Sequence, residues 1–133
     1  MFGGWDEKET LSSVFRYDIQ TGETHFDGFM PHVAEGHACV RIPGTQTVFI
    51  FGGYDGLGVT DRIMKYDMKS GGGSLIYGQK LATPRENHTA QLIGDDKIVV
   101  TSGWSANTAQ SSIEVFKYDK SLNSVSKFDH NRE

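Results

Sequence analysis

Short stretches of alternating apolar and polar residues recur along the chain, and none sustains a 3.6-residue period. Residues 36–42 alternate and stop at the turn signal Pro43-Gly44. Residues 47–51, Thr-Val-Phe-Ile-Phe, form a continuous apolar run of the kind expected for a strand buried on both faces. Residues 61–66 alternate again, with Ile63 on one parity and Met64 and Tyr66 on the other. A glycine run, Gly71-Gly72-Gly73, then leads into residues 74–77. The same order returns at 87–93, a turn at Gly94-Asp95-Asp96, then 97–101, 112–118 and 123–128. This pattern predicts an all-β chain, nearly free of helix, with four strands in each unit.

Three markers carry the repeat. A Gly-Gly or Ser-Gly pair followed by a large aromatic occurs at Gly3-Gly4-Trp5, Gly52-Gly53-Tyr54 and Ser102-Gly103-Trp104, with aromatic spacings of 49 and 50 residues. A Tyr-Asp pair follows each, at Tyr17-Asp18, Tyr66-Asp67 and Tyr118-Asp119, spaced 49 and 52 apart. His37 and His88, 51 apart, each open a short β-type run. Glycine, at 16 of 133 residues, is well above the usual ~7% while proline numbers three, which points to many tight turns and not to a linker.

Together these residues resemble the kelch repeat, the four-stranded blade of a β-propeller. The Gly-Gly and Tyr-Asp elements match in all three periods, and the family-like Pro-Arg before an inner strand occurs once, at Pro84-Arg85. The outer-strand Trp of the family is absent, with Phe26, Tyr77 and Phe128 nearby, and Pro31-His32-Val33-Ala34 stands where an Arg is expected. The resemblance implies four-stranded antiparallel blades, about two and a half of them. Residues 1–29 would be the third and fourth strands of a first blade, 30–80 a second blade and 81–133 a third. The glycine pairs would let the chain leave each second strand with little bulk, and the tyrosines would fill the space between blades. The inner strands of the first blade are missing from this count, so the chain reads as part of a larger propeller, completed by further blades in cis or by association. A nonfunctional remnant, aggregating through its unpaired edges, is a further reading.

Strand direction puts loops 5–11, 54–60 and 104–111 on one end of the blades, beside connections 29–36 and 80–87. Kelch-type proteins commonly contact ligands there, so the resemblance implies Trp5, Tyr54, Asp55, Arg85, Glu86 and Trp104 as partner-binding residues. Against this, the aromatics would cover blade edges and Arg85 would pair with Glu86 or Asp55. The expected function is a non-catalytic protein-binding scaffold. The alternative is a segment of a propeller enzyme, such as a carbohydrate oxidase or isomerase, whose active site lies on other blades.

The remaining chemistry narrows the picture. Thirteen basic against 17 acidic residues, net −4, disfavour a phosphate-tracking surface and predict no nucleic-acid binding. No apolar stretch is long enough for a transmembrane helix. The first residues lack a basic and an apolar signal region, and with the lone Cys39 this leans toward a cytoplasmic setting. Gly53-Tyr54-Asp55-Gly56-Leu57-Gly58-Val59-Thr60 nearly fits a phosphate loop, but Val59 takes the lysine position and no helix follows. Thr83-Pro84-Arg85-Glu86 fits a capping box without a helix to cap, and Asn87-His88-Thr89 is a sequon whose asparagine is expected to be buried. His37 and His88 make an incomplete metal set and read as structural. Asp95-Asp96 diverge as turn neighbours, and no serine stands out as a nucleophile. No metal, cofactor or catalytic residue is therefore expected.

Overall fold

The computed structural model describes residues 1–128 and is all-β, with no helix among them. No helix long and apolar enough to cross a membrane occurs among the described residues. The strands are β1 Phe2–Trp5, β2 Thr10–Tyr17, β3 Thr24–Phe29, β4 Ala38–Arg41, β5 Thr47–Phe51, β6 Ile63–Asp67, β7 Gly72–Leu75, β8 Thr89–Ile93, β9 Lys97–Thr101, β10 Trp104–Ser105, β11 Thr108–Ala109, β12 Ile113–Asp119 and β13 Ser124–Lys127. They form three antiparallel meander sheets: β1-β2-β3, β4-β5-β6-β7 and β8-β9-β12-β13. The short β10–β11 hairpin, which the residue pattern did not signal, rises from the loop of the third sheet.

The middle sheet is packed on both faces, which is what the unbroken apolar run of β5 requires; all five of its residues are buried. Alternate side chains go to opposite neighbours. Val48, Ile50, Met64 and Tyr66 meet Val14 and Met30 of the first sheet unit. Phe49, Phe51 and Ile63 meet Ile98, Val100, Phe116, Tyr118 and Val125 of the third. Edge-to-face contacts mark both interfaces, Phe2 on Tyr66 at 5.3 Å and Phe49 on Tyr118 at 5.9 Å. The outward face of the first sheet is left with exposed Phe15, Phe26 and Phe29, themselves stacked edge to face, and the third sheet exposes Ile93 and Ile113.

The Asp of each Tyr-Asp pair starts the turn to the outer strand by accepting backbone N–H groups two residues on: Gln20 for Asp18, Lys69 for Asp67 and Ser121 for Asp119, each at 2.9 Å. The tyrosines do not share one role. Tyr66 is fully buried and donates across the interface to Asp27 at 2.6 Å, whereas Tyr17 is 55% exposed, with no sheet facing it among the described residues. Tyr118 lies between sheets but two residues late. Pairing sets Phe116 opposite Ile98 as Tyr66 is opposite Val48, so Phe116 is the structural counterpart of Tyr66. The longer marker spacing in the third unit records that offset. Strand β7 also begins within the glycine run, at Gly72, and ends before Tyr77.

Candidate functional site

One end of the three sheets is built by the connections between them. The second glycine of the first two pairs donates its N–H to the connection that follows, Gly4 to the Ala34 carbonyl at 2.8 Å and Gly53 to the Arg85 carbonyl at 2.9 Å. The next residue of each connection then pairs with the aromatic of the following sheet. Glu35 and Tyr54 exchange bonds of 2.9 and 2.8 Å, Glu86 and Trp104 bonds of 2.8 and 2.9 Å. The first glycine must be bare for this to happen: a Cβ on Gly3 would lie 2.4 Å from the Ala34 carbonyl oxygen, and one on Gly52 2.6 Å from that of Arg85. Both also have positive φ, 57° and 64°. Ser102, at the same place in the third sheet, has φ 67°.

These connections gather the loop aromatics on one end. Trp5 is 60% exposed, Trp104 is 48% exposed on the β10–β11 hairpin, and Tyr54 is half-buried between them. A cleft of about 510 Å³ brings Trp5 and Tyr54 together with Lys8, Glu9, Glu35 and Leu57. Across the 54–60 loop, a second cleft of about 410 Å³ is lined by Asp55, Asp61, Arg62 and Pro84. Asp55 shapes the loop: its carboxylate accepts the Leu57 and Gly58 N–H groups, each at 2.9 Å, and pairs with Arg62 at 3.0 Å. The Leu57 amide foremost holds this carboxyl below its ordinary range, with the Gly58 amide and Arg62 adding to it. Asp6 does the same for the first loop with the amides of Lys8 and Glu9.

Arg85 departs from its expected role. It is fully buried and cannot reach a partner from the loop end. Its Nη1 donates to the carbonyls of Ser102 and Ser112, both at 3.1 Å, and its Nη2 to Ser112 Oγ at 2.6 Å and Glu114 Oε2 at 3.0 Å. The paired carboxylate is thus Glu114, not Glu86 or Asp55. Glu114 also accepts the Ala82 N–H at 2.7 Å and the ammonium of Lys127. Burial pushes its carboxyl upward, but the Lys127 bond and the Ala82 amide outweigh that and hold it below the usual range. A signal for this pairing exists in the repeat. Arg85 stands 51 residues after Ala34 and Glu114 stands 50 after Met64, and Ala34 and Met64 are both buried in the first interface. One interface fills the place with an apolar pair, the next with an ion pair.

The two histidines pack against the glycine pairs: a Cβ on Gly53 would lie 3.0 Å from His37 Cβ, and one on Gly103 2.7 Å from His88 Cβ. Burial pushes the His88 imidazole down to about 4 and lowers His37 as well, so both are neutral at physiological pH. Among the described residues no three His, Cys, Asp or Glu side chains are grouped to hold a metal ion. Asn87 is exposed with φ 53° and precedes β8, contrary to the buried strand position expected of it; the bend lets its N–H reach the Gly36 carbonyl at 2.7 Å. No protein-family model matches the chain, and no curated protein matches it.

Proposed function

We propose that this chain is a run of kelch-type propeller blades acting as a non-catalytic protein-binding scaffold, with partners held at the loop end by Trp5, Tyr54 and Trp104. The observation that carries the reading is three loop aromatics on one end: Trp5 and Tyr54 line a cleft rimmed by charged groups, and Trp104 stands about half exposed on the β10–β11 hairpin. Large aromatics with polar rims are what dominate binding energy at protein interfaces. Asp55 and Glu86 serve there by shaping backbone, since Asp55 is engaged by two amides and Arg62, and Glu86 is paired through its main chain with Trp104. The meander sheets stacked face to face and the open apolar faces at both ends of the stack support the propeller part of the reading. The kelch part rests on the repeat resemblance.

The test is a display selection of binding proteins on the folded chain. Binders should lose about tenfold or more in affinity to a Trp5→Ala/Trp104→Ala variant whose melting curve is unchanged. Binders that hold both forms equally would show that the loop end is not the preferred surface.

A further inference from the structure

Two of the loop aromatics are set beside a carboxylate by the same main-chain pairing. Glu35 lies opposite Tyr54 and Glu86 opposite Trp104, in the registers that β4 keeps with β5 and β8 with β9. Each pair exchanges both backbone bonds. Residues directly opposite in an antiparallel ladder send their side chains to one face, with Cβ atoms about 5 Å apart. Each pair therefore offers a ring and a carboxylate side by side. The element recurs 51 residues on at the glutamate and 50 on at the aromatic.

In the first pair both side chains line the cleft of about 510 Å³, which Trp5 and Glu9 of the neighbouring loop line as well. Among the described residues, the carboxylates of Glu9, Glu35 and Glu86 form no ion pair and no hydrogen bond. Lys8 is the one cation on the cleft lining among the described residues, and Asp55 there is already answered by Arg62. The surroundings carry the same sign. The loops and connections of this end hold Asp6, Glu7, Glu9, Glu35, Asp55 and Glu86 against Lys8 and Lys80, because Arg85 is buried on Glu114. That balance equals the whole net charge of −4, so the remainder of the sequence is neutral as a body.

We propose that these pairs take arginine side chains of a basic segment in a partner protein, the guanidinium stacking on the ring of Tyr54 or Trp104 while it donates to the carboxylate of Glu35 or Glu86. An aromatic face attracts a cation through its quadrupole. The planar guanidinium stacks on a ring and donates to a carboxylate at once, which an ammonium does not do. The negative field of this end steers a basic segment toward it. The inference rests on the loop-end surface of the proposed function and adds the chemistry of what that surface takes.

The probe is end-blocked hexa-arginine titrated into the full chain at physiological salt and read by tryptophan fluorescence, since both tryptophans of the chain, Trp5 and Trp104, lie at this end. A saturable change is expected, with hexalysine binding several-fold more weakly and hexaglutamate not at all. Glu35→Gln/Glu86→Gln keeps the main-chain pairing and should weaken hexa-arginine about tenfold or more. Asp95→Asn/Asp96→Asn removes the same charge from the opposite end and should change it less than about twofold. No saturable change at millimolar hexa-arginine, equal binding of hexalysine, binding of hexaglutamate, or equal losses in the two double variants overturns the proposal. The peptide comparison uses the unaltered chain, so a folding defect in a variant does not decide the outcome. If hexa-arginine is not bound while display-selected binders still need Trp5 and Trp104, this inference fails and the proposed function stands. If the binders ignore the loop end while hexa-arginine binds there with the expected losses, the arginine site stands and the scaffold reading fails.

Discussion

At the scale of single residues, the most informative side chains are polar groups that the fold buries. His88 is buried against Gly103 and stays neutral in the fold, with its proton affinity lowered from 6.5 to about 4 chiefly by burial. The unfolded chain takes up a proton there below about pH 6.5, and the folded chain refuses it until about pH 4. Stability from this site is complete above that range, falls as pH drops through it, and levels off beneath it; His37 adds in the same direction. Denaturant midpoints measured from pH 7.5 down to about pH 4.5 should therefore decline, and the decline should be shallower in His88→Gln, which has no proton to gain. An unchanged slope in that variant would remove His88 as the cause.

At the scale of elements, the sheets are joined by residues that read differently in each interface. Ala34 and Met64 fill one junction, and the Arg85–Glu114 pair fills its counterpart with five charge-assisted or neutral hydrogen bonds shared among Ser102, Ser112, Ala82 and each other. Removing one partner of a buried pair costs about 3–5 kcal/mol where the remaining charge is left uncompensated, whereas replacing both with apolar groups is often neutral. Lys127 and the Ala82 amide still hold Glu114 once Arg85 is gone, so Arg85→Ala should fall at or below the lower end of that range, through its cavity and the unpaired Ser102 and Ser112 carbonyls, and Arg85→Ala/Glu114→Met, which copies the first junction, should recover part of the loss in chemical denaturation. Equal stability of the single and double variants would mean that the two junctions are not interchangeable. The Arg after Pro84 was legible as a family-like position, whereas its partner was marked only by the repeat offset from Met64 to Glu114. Glu114 lies 29 residues away on β12, and only strand pairing brings it under the connection.

At the scale of the whole molecule, the middle sheet is, among the described residues, the only one of the three with both faces covered, while Phe15, Phe26 and Phe29 at one end and Ile93 and Ile113 at the other lie open. Local stability follows burial. Amide exchange should be slowest in Thr47–Phe51 and Ile63–Asp67 and fastest in Thr24–Phe29 and the Trp104–Ala109 hairpin. Uniform protection across the three sheets would mean that the stack unfolds as one unit and that the open faces carry no penalty.

The all-β class, the repeat near fifty residues and the burial of β5 on both faces were set by the sequence alone, because glycine turns, alternation and unbroken apolar runs are local constraints on the backbone. The turn role of the Tyr-Asp aspartates is local too, reaching only two residues on. What the tertiary structure decided were the matters of register and neighbourhood: that Phe116 and not Tyr118 matches Tyr66, and that Arg85 turns inward to Glu114. Each depends on which strand lies alongside which, and a pairing partner dozens of residues distant leaves no mark in the local pattern that the chain displays.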